Sequence, residues 1–533
     1  VTSERTYRLP ERRTGTVLLG FAVPQLLFAA CGTTALVVLP ALTRSGLGAL
    51  AGLVVAAGCV LLGFAPVAGQ PAYQAAVTLA GFTMRQAAGG RRGWVAPLRP
   101  HTGAPAPGPA RRWAAEGRSV PRCLAGLQLL AVERPGWAGA ARTAAPVGLV
   151  ADRRSGTLTV VLGVRGSGFS LLDPPDQHRR LSGWAQVLSQ FARERSPVTR
   201  LGWSLWSTPD TNAVRPDGEA MQDQAGSASA GRAEYDRLAA QVAAGLVRHE
   251  LRVWLTVDPR QAAGSADLPQ LALAAARALT DRCAAAGLVC APPMSPVQLA
   301  EAMRVQADPS AAAALAAATG HVGAGGRVAA GGLAERAGLA SPLTGPLPDV
   351  PDPAAALPLA VRADWDAVQV DGAWHRVFWV ARWPAGWLPA GWWEPLLADR
   401  AGTRTLAVVM EPVPARASRR RINAESVSID GQLRLRDKHA FRVPVGLQQA
   451  HSEVDDREAE LNAGYPEYAY LALVSVTAPT RDQLDAACHA ALDTAARCGI
   501  VELRPLHGRH DTAWACTLPL GRAPDRDLFG ALR

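Results

Sequence analysis

Histidines and carboxylates close together in sequence are the groups best able to hold a metal or move a proton, and "HGRHD" sets His507, His510 and Asp511 side by side. In a loop this spacing supplies at most a partial ligand shell, and the H-E-x-x-H pattern that would put two histidines on one helix face is absent. The segment reads instead as a polar loop or a helix N-terminus, with Asp511 near the first turn. Nucleotide hydrolysis through a P-loop needs a lysine that reaches the β- and γ-phosphates. The only lysine, Lys438, lies in "LRDKHAF" away from any glycine loop. "GVRGSGF", Gly163 to Phe169, is glycine-rich but lacks the G-x-G-x-x-G order, and it reads as a bend entering a helix. There is no G-x-S-x-G elbow, although a triad dispersed along the chain would not be visible in this way. The sequence therefore assigns no catalytic residue, no cofactor site and no metal site.

What remains are residues suited to holding a partner. Trp383, Trp387, Trp392 and Trp393 are interleaved with Pro and Gly in "WPAGWLPAGWW". Indoles of this kind either cap a sheet as core or form the centre of an interface; the reading taken is core, with at least one ring left for a partner. The strongest charge pattern runs from Arg416 to Glu460. Arg419, Arg420 and Arg421 open it, Arg434, Arg436, Lys438 and Arg442 follow, and Glu453, Asp455, Asp456, Glu458 and Glu460 close it. Such a run is a solvated helical arm or an arm that docks by charge complementarity. The four tryptophans and Arg419 to Arg421 are the candidate partner interface. The net charge of +10 is carried almost wholly by arginine, a bias that a GC-rich genome explains. Direct nucleic-acid binding is not expected, whereas contact with an anionic inner leaflet is compatible with it. None of the eight cysteines stands in a C-x-x-C spacing, which argues against zinc and against a secreted disulfide framework and for a reducing compartment.

These candidates must be positioned by a chain of 533 residues that begins with two apolar stretches. No charged residue occurs between Thr14 and Thr43 or between Ser45 and Met84. Each window exceeds the roughly 20 residues that cross a hydrocarbon core of about 30 Å. A second span so close behind the first is unlike a cleaved signal peptide. Arg5, Arg8, Arg12 and Arg13 precede the first span, Arg85, Arg91, Arg92 and Arg99 follow the second, and Arg44 alone lies between. By the positive-inside rule both ends face the cytoplasm, giving a tight hairpin in the plasma (inner) membrane. Gly48 and Gly52 have the small-x-x-x-small spacing that permits close helix contact. Tyr73 to Gln86 reads as a plain connecting helix or as one lying along the interface, with Arg85, Arg91 and Arg92 reaching lipid phosphates.

The remainder is expected to be an α/β (α+β) cytoplasmic body. A basic N-terminus (1–14), the hairpin (15–70) and a juxtamembrane segment with a Pro/Gly/Ala linker (71–118) lead to a first domain at 119–307. There the pattern predicts a β-hairpin turning at Arg153 to Gly156, a helix near Pro175 to Arg195, and a strand from Val198 to Ser207. A helix from Arg232 to His249, the strand "ELRVWLTVD" and a helix from Leu268 to Ala286 follow. An Ala/Gly/Pro-rich linker (308–359) separates a second domain at 360–533, which carries the charged arm at 414–462. Its strands "HRVFWVARWP", "TRTLAVVMEPVP" and "YAYLALVSVTAP", and its helix from Arg481 to Arg497, repeat the order of the first. Ala274 to Val289 resembles Leu484 to Val501, which suggests a duplicated unit similar to a ferredoxin-like split β-α-β.

The basic N-terminus, two-span hairpin, Arg/Pro linker and "EYDRLAAQVAAGLVRHELRVWLTVD" resemble the actinobacterial PrgI-like membrane proteins associated with type IV secretion-like ATPases. "WVARWP", "RTLAVVMEPVPARASRRR", the arm and the stretch from Tyr470 to Arg522 resemble the C-terminal half of the same family and the noncatalytic N-terminal domain of conjugation ATPases. The layout is also similar to EccE, the type VII secretion membrane component. Gly431 and Pro444 depart from that family's long unbroken arm helix. The resemblance implies a nonenzymatic component of a type IV-like or type VII-like secretion or DNA-transfer apparatus, in an oligomeric complex with other membrane subunits, that recruits a secretion or conjugation ATPase. The alternative is a membrane-anchored enzyme at the cytoplasmic face, which a pocket of convergent histidines or carboxylates would favour.

Overall fold

A computed structural model describes residues 7–8, 23–67, 70–87, 93–95, 120–133, 146–166, 168–193, 196–209, 237–238, 246–261, 267–312, 357–384 and 386–524. Strand β1 (Tyr7–Arg8) precedes helices α1 (Val23–Thr43) and α2 (Gly46–Phe64), both long and apolar enough to cross a membrane. They pack antiparallel through small residues. A Cβ on Gly52 would lie 3.0 Å from the Ala35 carbonyl and one on Gly48 2.9 Å from that of Leu39, so glycine at these two positions lets the backbones meet. The Ser45 hydroxyl accepts from the Gly48 N–H at 3.3 Å and caps α2 directly after the turn. Strands β2 (Pro66–Val67) and β3 (Gln70–Pro71) form a short ribbon that turns the chain into α3 (Ala72–Ala87) and then β4 (Trp94–Val95). Arg85 of α3 donates to the Gly508 carbonyl of the body rather than standing free for lipid phosphate, because the helix turns that face inward. Arg91 and Arg92 lie outside the described residues.

The body begins with β5 (Leu127–Val132), β6 (Val147–Asp152), β7 (Thr157–Gly166), α4 (Pro174–Phe191), β8 (Val198–Pro209) and β9 (Val247–Val257), then α5 (Leu268–Ala285), β10 (Leu288–Pro293) and α6 (Pro296–Ala307). It continues with β11 (Ala360–Ala363), β12 (Val368–Val370), β13 (Ala373–Arg382), β14 (Trp387–Leu388), α7 (Glu394–Ala398) and β15 (Thr403–Pro412). The arm helices α8 (Ala415–Lys438) and α9 (Val445–Asn462) precede β16 (Tyr468–Ala478), α10 (Arg481–Arg497), β17 (Glu502–Pro505) and α11 (His510–Thr517).

Among the described residues, thirteen strands form one sheet, ordered β4-β11-β12-β13-β16-β15-β8-β9-β7-β6-β5, with β10 on β7 and β17 on β13. The two expected domains therefore share a sheet, joined by antiparallel pairing of β8 and β15 from Arg404 opposite Ser207 to Met410 opposite Leu201. Within the sheet, β10-β7-β9-β8 and β17-β13-β16-β15 have the same order, every neighbour antiparallel, and the same sequence of strands around their helices. The meanders β5-β6-β7 and β11-β12-β13 extend the correspondence to both ends of the sheet.

Both faces of the sheet are covered. Leu158, Val160 and Leu162 of β7, with Val253 and Leu255 of β9, face α4, α5, α7 and α10. Val161 and Trp254 alternate onto the other face under α6 and α11. Each half is strapped to the other. Arg304 of α6 pairs with Asp371 in the β12–β13 turn at 2.8 Å, and the Gly372 N–H donates to Asp308 at 3.0 Å. Past α11, Arg522 bonds the Cys123 and Ala125 carbonyls and lies 3.8 Å from Asp152 beside the β6–β7 turn. Gly521 has φ of 67°, and a Cβ there would overlap the Thr159 and Thr256 hydroxyls, so the strap crosses the sheet where only glycine fits.

Three expectations change. Val247 to His249 belong to β9, whose pairing with β8 overrides the helical period read through them; of the rest of the expected helix only Arg237 and Leu238, both helical, and Leu246 are described. Strands β5, β11 and β12 and helix α6 were not anticipated, being short segments with weak periodicity. Gly431 lies inside an unbroken α8, while Pro444 caps α9, so the arm is a helical hairpin.

Candidate partner-binding surface

The tryptophans occupy the place in the second half that α4 occupies in the first. There an 18-residue helix covers the sheet, whereas the segment between β13 and β15 has only the five-residue α7, and indoles supply the missing bulk. Trp383 is buried, with ring centroids 6.2 Å from Trp392, 6.2 Å from Trp393 and 5.8 Å from Tyr470. Trp392 and Trp393 stack at 5.4 Å, and Trp393 meets Trp203 of the first half edge-on at 5.8 Å. Trp387 stands apart at 67% exposure on β14, whose outer edge pairs with β1. The sequence signal for all four was the same; the neighbours separate them.

The arm rises from the same end of the sheet. Trp379, Leu473 and Ala407 lie in register across β13, β16 and β15, so the ends of β13 and β15 coincide, and Trp383 touches Tyr470 where α8 begins. The root is fixed by Glu467, which receives Ser418 and Arg421 and, at 3.1 Å, Arg457; Arg457 also reaches Glu425 at 2.8 Å. Ile422, Ile429, Leu447, Ala450 and Val454 form a small core between α8 and α9. Arg421 is thus committed to the root, whereas Arg419 and Arg420 are exposed. Arg419 borders a depression of about 280 Å³ with Asn423, Glu458 and Asn462. At the far end, Leu435, Phe441 and Val445 are exposed among Arg436, Lys438 and Arg442. Phe441, an aromatic interrupting a charge run, was the available signal for this tip.

His507 and His510 come together, their rings 6.0 Å apart, but not as a metal shell. His510 opens α11 and is buried; its Nδ1 accepts from the Val377 N–H at 3.1 Å, leaving the proton on Nε2. Burial, with smaller effects from His507 and Arg376, lowers its pKa to about 3. Burial likewise pushes the Asp511 carboxyl up. No group of three metal-binding side chains occurs among the described residues. His375, unremarked in the sequence, is the other fully buried imidazole among the described residues. Its Nε2 donates to the Ala307 carbonyl at 2.8 Å and its Nδ1 accepts from the Thr477 hydroxyl at 2.9 Å, linking α6 of the first half to the second. Another depression, of about 540 Å³, is lined by Asp399, Asp493, Thr494 and Arg497. Its Asp399 is held by Arg404 at 2.7 Å and Thr494 at 2.9 Å, a structural pairing rather than a free acid.

No protein-family model and no curated protein matches the chain.

Proposed function

We propose that the protein is a nonenzymatic scaffold of the inner membrane, a component of a type IV-like or type VII-like, EccE-like secretion or DNA-transfer apparatus. Its hairpin anchors a cytoplasmic body of two ferredoxin-like halves, and its arm recruits the ATPase. The observation that carries this reading is the helical arm rooted beside the tryptophan cluster, with Arg419 and Arg420 unpaired by the root network that takes Arg421. Exposed indole and guanidinium side chains are the types enriched at interaction hot spots. Fusion of the halves through β8 and β15 supports a rigid platform, and their matching strand orders support the ferredoxin-like reading. The pairing of β1 with β14 supports an arrangement in which the segment before α1 and the body share one side of the membrane, since α1 and α2 return the chain to the side it left.

The test is co-purification of the secretion ATPase from native membranes. The combined variant Trp387→Ala, Arg419→Glu, Arg420→Glu loses the ATPase while keeping the melting temperature of the parent. Retention of the ATPase at parental yield contradicts the reading.

A further inference from the structure

Helix α3 has two faces of different character. Thr78, Phe82 and Arg85 recur at i, i+4 and i+7 and turn toward the body. Arg509 donates to the Thr78 hydroxyl at 3.1 Å, Phe82 meets Trp365 edge-on with centroids 5.4 Å apart, and Arg85 donates to the Gly508 carbonyl. The neighbouring Gln86 donates to the Ala363 carbonyl at 2.9 Å. The N-terminal end of α3 is tied to the hairpin, where the Tyr73 ring lies 5.6 Å from that of Phe28 in α1. On the opposite face Ala76, Val77, Leu79, Ala80 and Met84 are exposed, Val77 at 67% and Met84 at 72%, and the one polar side chain among them, Thr83, donates its hydroxyl to the Ala80 carbonyl at 2.9 Å. That face carries no charge, and α3 packs against α2, to which the β2–β3 ribbon joins it.

We propose that α3 lies in the interfacial layer of the bilayer, with its apolar face in lipid and its polar face bonded to the body. Hairpin, α3 and the body's β11–β12 and β17–α11 connections then form one bracket that fixes how the body stands on the membrane. The occupant is lipid because the exposed apolar residues stand on a helix packed directly against α1 and α2, both long and apolar enough to span. It is not a third span: sixteen residues reach about 24 Å, short of the roughly 30 Å core. The polar bonds on its other face also hold it against protein rather than acyl chains. A helix with one bare apolar side and one polar side settles at the headgroup boundary. This inference rests on the hairpin being membrane-embedded and not on the secretion reading.

The experiment places an environment-sensitive thiol fluorophore at Met84→Cys or at Val77→Cys in the full chain, with Cys31, Cys59 and Cys290 replaced by serine and the protein reconstituted in lipid nanodiscs. Val427→Cys on the arm is the control. The expected result is strong quenching at 84 and 77 by a lipid carrying a shallow nitroxide, with little quenching by aqueous iodide and the opposite pattern at 427. Iodide quenching at 84 and 77 equal to that at 427 overturns the proposal. Protection from both quenchers, with crosslinking of two copies through position 84, overturns it in favour of a second copy as occupant.

Discussion

At the scale of the residue, burial decides roles that the sequence left equal. Trp383→Ala removes a core indole and is expected to destabilise by about 3–5 kcal/mol, lowering the melting temperature in detergent. Trp387→Ala leaves it unchanged, because that ring packs on little. The buried imidazoles give a pH dependence. Desolvation lowers His375 to about 4 and His510 to about 3, so these two rings stay neutral in the folded protein down to those values, and it shifts His249 and His507 in the same direction. In the unfolded chain each protonates near 6.5, so between about pH 6.5 and 4 the unfolded state binds the extra protons. Stability then falls as pH falls, by up to about 1.4 kcal/mol per pH unit for His375 and the same for His510. Asp511, whose pKa is raised by burial, acts in the opposite direction, its contribution being lost as pH rises through the raised value. Melting temperatures should drop from pH 7 to pH 4.5, and His375→Gln should flatten that slope; an unchanged slope would count against a neutral buried His375. The buried strand face of Leu158, Val160, Leu162 and Val164 was legible from its period of two. The burial of His375 was not, since a histidine in a strand gives no sign of which partners cross from another half of the chain.

At the scale of the element, strong periodicity carried most of the reading. The helix expected from Arg481 to Arg497 is α10 to the residue, and its buried Leu484, Ala487, Cys488, Ala491 and Ala495 recur at helical spacing, while Leu492 beside them is exposed. The hairpin was legible too, down to the close approach at Gly48 and Gly52. Gly52→Leu should splay α1 from α2, and a disulfide engineered between residues facing across the pair should form in the parent and fail in the variant. The arm shows where local rules stop. Gly431 costs a solvated helix only about 1 kcal/mol, which the core of Ile422, Ile429 and Val454 offsets, so the helix continues through it. Pro444, which lacks the N–H a helix interior needs, stands at the N-cap of α9 and marks the reversal. Short elements such as β11 and β12 exist because the sheet edge they join is already present, and no window of their own sequence reveals that.

At the scale of the whole molecule, the feature least visible in the sequence is the fusion of the two halves. Their likeness was readable from Ala274 to Val289 against Leu484 to Val501, but the β8–β15 seam depends on which edge strands meet, and both edges are ordinary apolar strands. Because the sheet is continuous and strapped at both ends, the halves should unfold in one transition. A chain cleaved at a protease site inserted between residues 320 and 350 should keep both halves together through gel filtration in detergent; separation would show the seam to be weak. Gly521→Ala strains a left-handed backbone and overlaps two threonine hydroxyls, and it should cost at least about 1–3 kcal/mol by lifting the strap. The proposal that this fused platform, anchored through its hairpin, recruits an ATPase at the membrane is tested most directly by site-specific photo-crosslinking. A benzophenone amino acid is placed at Arg420 or Trp387 in cells that make the whole apparatus. The account predicts an adduct containing the secretion ATPase, identified by mass spectrometry, from both positions; no such adduct from either, with the ATPase present in the same membranes, would contradict it.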